Sequence, residues 1–142
     1  MGQQQLLLLV LGIVIVGLAV VVGIQAFGEN QTKANTDAVV NDAIRVASDA
    51  QSWALKPSAF GGGDGGFTGV TLQKLGFGAD STATINGTSR TGYINANGGY
   101  VLSGAAQNAL TITGHGKSGS TVVVTLKGTG SDDISTAVTN PN

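Results

Sequence analysis

Apolar and polar positions divide the chain into three stretches. From residue 2 to residue 28 no ionisable side chain occurs, and residues 6–24 form an unbroken run of Leu, Val, Ile, Ala and Gly. A helix of 19 such residues is about 28 Å long, which matches the roughly 30 Å hydrocarbon core of a bilayer. A cleaved signal peptide is the competing reading. The segment lacks a basic start and a small-x-small cleavage site, and its apolar run exceeds the usual length of roughly 7 to 15 residues, so it is expected to stay in the mature protein. After the polar junction Glu29-Asn30-Gln31, apolar residues recur at Val39, Val40, Ala43, Ile44, Ala47, Ala50, Trp53 and Ala54, a helical spacing on one face. Asp37, Asn41, Asp42, Arg45, Ser48 and Asp49 take the other face. Neither proline nor a turn cluster intervenes before Pro57, so the spacing predicts one helix from about residue 3 to about residue 55, roughly 80 Å long.

Beyond Pro57 the period changes. Residues 58–66 hold five glycines and read as a loop. Strands rich in Val, Ile, Thr and Tyr are predicted at 67–75, 83–86, 92–95, 100–103, 109–113, 121–127 and 134–139. Asn86-Gly87 and Asn97-Gly98-Gly99 fall between strands and favour the left-handed backbone of tight hairpins. Leu, Ile, Val and Phe supply only 18 of the 86 residues from Pro57 onward, which is thin for an independent core. The sheet therefore needs the apolar face of the preceding helix, with Val40, Ile44, Ala47 and Trp53 as the packing residues. The predicted fold class is α+β: an apolar helix half (1–28), an amphipathic half (29–56) and a small antiparallel β head (57–142). A head of this size is about 35 Å across, so the apolar end of the rod is expected to lie beyond it, in lipid or against copies of itself.

Composition narrows the partners. The 142 residues carry seven basic and eight acidic side chains, the basic ones scattered singly, so no nucleic-acid partner is inferred. The absence of cysteine excludes disulfides and thiolate chemistry. Eighteen of the 23 glycines lie beyond Pro57.

A short polar start, the apolar run from Gln3-Gln4-Gln5-Leu6 to Gly17, a continuing amphipathic helix and a glycine-rich β head together resemble the type IV pilin and pseudopilin superfamily. The closest likeness is to small bacterial pilin-like proteins opening with Gly-Gln-Gln-Gln-Leu. The architectural likeness covers nearly the whole chain, and its specific signal lies in about the first 55 residues. The resemblance implies an inner-membrane subunit that an assembly platform and ATPase extract into an extracellular homopolymer, helix packed on helix. It implies an assembly interface at Gln3, Gln4, Gln5, Leu6, Leu9, Ile13, Val16, Val20 and Ile24. Prepilins usually carry a basic leader, whereas only Met1-Gly2 precedes Gln3; the chain is either already processed or needs no leader cleavage. Classical pilins also carry a glutamate near the start of the mature helix. Here three glutamines stand in its place, either bonding a neighbour's N-terminus through neutral contacts or marking the water-facing end of a membrane helix. Gly12, Gly17, Gly23 and Gly28 either permit close helix approach and local unwinding or reflect ordinary membrane-helix usage.

Catalysis and cofactors are not expected. Thr111 to Ser118 nearly meets the phosphate-loop pattern around His115, but Thr111 replaces its first glycine and no helix is predicted to follow. Asp64, Asp132 and Asp133 sit in turns, where solvated carboxylates are the simpler reading than a Ca²⁺ site needing roughly 6 to 8 oxygens. Asn30 and Asn86 head N-x-T sequons open to glycosylation. The expected function is a filament subunit. Alternatives are a minor pseudopilin of a secretion or DNA-uptake machine and a single-pass anchored surface binding protein.

Overall fold

The structure, a computed structural model, describes residues 2–79 and 81–141. One helix, α1, runs Gly2–Leu55 without a break. Leu55 stands two residues before Pro57, whose ring restricts the residue ahead of it, and the Lys56 amide closes the last turn on the Trp53 carbonyl at 3.2 Å. A single 3₁₀ turn, Ser58–Phe60, follows and is ended by Gly61 at φ 77°. The chain divides into two compact units, the first ending at Lys33 and the second beginning at Ala34, and α1 contributes to both.

The second unit holds a six-stranded antiparallel meander: β1 (Ser81–Ile85), β2 (Thr88–Ile94), β3 (Gly98–Ala106), β4 (Ala109–Gly116), β5 (Thr121–Leu126) and β6 (Ile134–Thr139), in sequential order. One helix and one antiparallel sheet confirm the α+β class. Alternation on β4 and β5 buries Leu110, Ile112, Val122, Val124 and Leu126 completely. These, with Tyr100, pack on Val39, Ala43, Val46, Ala47, Ala50, Trp53 and Ala54 of α1. Alanine at four of those helical positions lets the helix lie close to the sheet, and Gly114 takes this further. A Cβ there would stand 2.9 Å from Val39 Cγ1 and 3.1 Å from Tyr100 Cε1. Fully burying a side chain such as Ile112 contributes about 1.5–3 kcal/mol.

Polar side chains fix the helix to the turns. Asp42 Oδ2 accepts from Asn95 Nδ2 at 2.7 Å, Asn97 Nδ2 at 2.8 Å and the Tyr100 hydroxyl at 2.8 Å. Asn35 donates to the Asn97 carbonyl and accepts from the Ser118 amide and hydroxyl. Gln51 donates to the carbonyls of Gly128 and Gly130.

Three expectations require correction. Residues 67–75 are turns, not a strand: Gly69 adopts φ 78°, and the amides of Val70 and Leu75 bond within the segment. Phe67, Val70 and Leu72 nevertheless plug into the core. At 97–99 the turn is made by Asn95 Oδ1 accepting from the amides of Asn97 and Gly98, and neither of the following glycines has positive φ. Gly98 and Gly99 serve close approach, because a Cβ at Gly99 would meet Ile85 Cδ1 at 2.6 Å. Ile44 is 37% exposed. It lies six residues before Ala50, about 120° round the helix from the centre of the buried arc.

Candidate assembly surface

The described residues of the first unit are all helical, and from Leu6 to Ile24 their surface is hydrocarbon. Every large apolar side chain from Leu6 to Phe27 is between 51 and 71% exposed, the interface candidates Leu6, Leu9, Ile13, Val16, Val20 and Ile24 among them. Gln3, Gln4 and Gln5 are exposed at the start of the same helix. Shallow grooves run along it, one lined by Gln3, Leu6, Leu7, Val10 and Val14, another by Val20, Gly23, Ile24 and Phe27. A Cβ added at Gly12, Gly17, Gly23 or Gly28 would meet nothing within 4 Å. No contact within the chain thus requires glycine at these positions, although each costs about 1 kcal/mol relative to alanine in a helix interior. By length and composition this helix can cross a membrane.

The helix-to-head residues separate by position. Ala47 and Trp53 are buried and Val40 is partly buried against the core, while Ile44, 37% exposed, lies outside the core cluster. Val46, outside the apolar series read at 39–54, is 1% exposed and lies three residues beyond Ala43. The polar anchors Asn35 and Gln51 carry no sequence signal, and Asp42, on the polar side of the helical spacing, bonds to the head.

The chemical candidates dissolve into structure. His115 lies in β4 opposite Gly99 and Thr121, so the phosphate-loop pattern falls on a strand followed by a strand. Its Nε2 meets Arg90 Nη1 at 2.9 Å, and burial followed by the Arg90 charge holds it below the ordinary imidazole value. Burial raises Asp42, but hydrogen bonds from Asn97, Asn95 and Tyr100 and the Arg45 charge outweigh it, leaving the carboxyl below its ordinary value. Burial, then the bond to Asp42, raises Tyr100. Asp133 accepts from the Gly130 amide and Asp64 adopts a left-handed turn. Among the described residues no group of three or more His, Asp or Glu could hold a metal. Asn30 is exposed within α1, and Asn86 forms the left-handed tip of the β1–β2 hairpin, φ 51°. Its Nδ2, the atom a sugar would take, already donates to the Gly116 carbonyl at 2.8 Å.

No known family model matches the chain, and no curated protein or solved structure does. Its architecture, a long N-terminal helix followed by an antiparallel sheet, is compatible with a pilin-like fold. The surface that remains unexplained by the chain's own packing is the apolar helix.

Proposed function

We propose that this chain is the structural subunit of a type IV pilus-like extracellular filament, polymerising through its apolar N-terminal helix. The observation that carries this reading is the contrast at residues 6–28, where exposed hydrocarbon and four contact-free glycines lie on one helix. Contiguous apolar surface of this extent needs a cover, and neighbouring copies of the helix provide one that also uses the glycines. Before assembly the cover is inner-membrane lipid; a platform and ATPase then transfer the subunit to the filament, leaving the head as its outer surface. The chain acts by packing and not by catalysis.

Electron microscopy of material sheared from producing cells, with N-terminal mass spectrometry of the same fraction, tests this. Fibres containing the polypeptide with residues 6–24 intact are expected. A mature product lacking that segment, or one dispersed as single copies in the envelope, overturns the proposal.

A further inference from the structure

The two edges of the sheet are suited to pair with each other in different copies. Among the described residues β1 pairs with β2 alone and β6 with β5 alone, so each offers one row of backbone N–H and C=O groups without a strand partner. Proteins usually blunt such edges with charge, proline or a covering element. Neither β1 (Ser-Thr-Ala-Thr-Ile) nor β6 (Ile-Ser-Thr-Ala-Val-Thr) carries a charge or a proline, and every residue of β6 after Ile134 is exposed.

Direction and register agree. Every neighbouring pair in the meander is antiparallel, so its first and last strands run in opposite senses. A second copy in the same orientation sets its β1 antiparallel to the first copy's β6 and continues the meander. Opposed residues in an antiparallel pair share a face. Val138 and Thr136 oppose the buried Val122 and Val124 and share their face, which leaves Ser135, Ala137 and Thr139 on the outer face. On β1, Ile85 reaches the outer face against Gly99, and Ala83 opposes Arg90, whose guanidinium meets His115 on that face. Ser81, Ala83 and Ile85 are therefore outer as well. Only one register pairs all five β1 residues with β6 and keeps the faces matched. It sets Ala83 opposite Ala137, with Ser81 opposite Thr139 and Ile85 opposite Ser135.

We propose that copies of this chain join their sheets edge to edge, β1 of one against β6 of the next, with Ala83 opposite Ala137. The inference rests on the filament reading, since a head-to-tail contact repeats from copy to copy and builds an open helical array wherever the rotation between copies does not close a ring. These 142 residues contain no cysteine, so introduced thiols report cleanly. Filaments of the Ala83→Cys, Ala137→Cys double variant, oxidised and run without reductant, are expected to give a ladder of dimers, trimers and larger species that collapses with reductant. Filaments of either single variant give none. Ala137→Lys, on an exposed position, is expected to lose most pelletable filament while the head melts unchanged. Filaments visible by microscopy that yield no ladder overturn edge pairing and leave the filament reading standing. Dimers from Ala137→Cys alone overturn it in favour of a two-fold β6 contact, and unchanged pelleting of Ala137→Lys also overturns it. A chain that stays in single copies overturns both readings.

Discussion

The two units use glycine in opposite ways. In the head, Gly92, Gly98, Gly114 and Gly116 are places where a Cβ would strike a neighbouring strand or the helix. In the first unit, Gly12, Gly17, Gly23 and Gly28 face open space. The same division holds for hydrocarbon, since Ile112 and Val124 are fully buried while Ile13 is 65% exposed. A residue explained by its own chain reports on folding. One that its own chain does not explain reports on surroundings.

The widest separation of the two is expected from Val16→Asp. A carboxylate at the middle of the apolar run opposes both a lipid and a packed-helix setting, so filament yield should fall to background while the head's melting is unchanged, as read by microscopy and circular dichroism. A head that unfolds would erase the distinction between the units. Ile112→Ala should do the reverse at the level of stability: about 2–5 kcal/mol lost in denaturant unfolding, from a cavity under α1. Asp42→Asn should cost about 1–3 kcal/mol by weakening three charge-assisted bonds to one oxygen. Its pH dependence has a definite sign. Asp42 is held below its ordinary value in the folded head, so its contribution is present above about pH 4 and lost as pH falls further, whereas Asp42→Asn should lack that acid limb. His115 is also lowered, which favours the neutral ring, so stability should begin to decline earlier, below about pH 6.5, in both proteins. The smallest effect is expected for Ile44→Ala, within about 0.5 kcal/mol, since that side chain lies outside the buried arc.

Much of the fold was legible because its signals are local. Pro57 marked the helix end, Asn86-Gly87 marked a hairpin with both residues at positive φ, and the Val- and Thr-rich composition of residues 121–127 marked β5. What escaped depends on distant partners. Asp42 reads as a polar-face residue and Asn35 and Gln51 carry no signal of their own, because their bonds reach 53 to 83 residues along the chain and leave no periodic trace. Residues 67–75 carry strand-like composition but find no strand to pair with, and the core takes their side chains without a ladder. For the assembly surface, the apolar run could be read at once, whereas the lack of internal contact at its glycines could be seen only in three dimensions.

The sequential meander also carries a consequence for how the head comes together. Each hairpin joins neighbours in the chain, so strand zippering needs only short loop closures and can proceed quickly. Docking of α1 is different, because Asn35 must find Ser118 across 83 residues. Helix docking is therefore the step expected to limit folding, since the core residues of the sheet have no cover until α1 is in place.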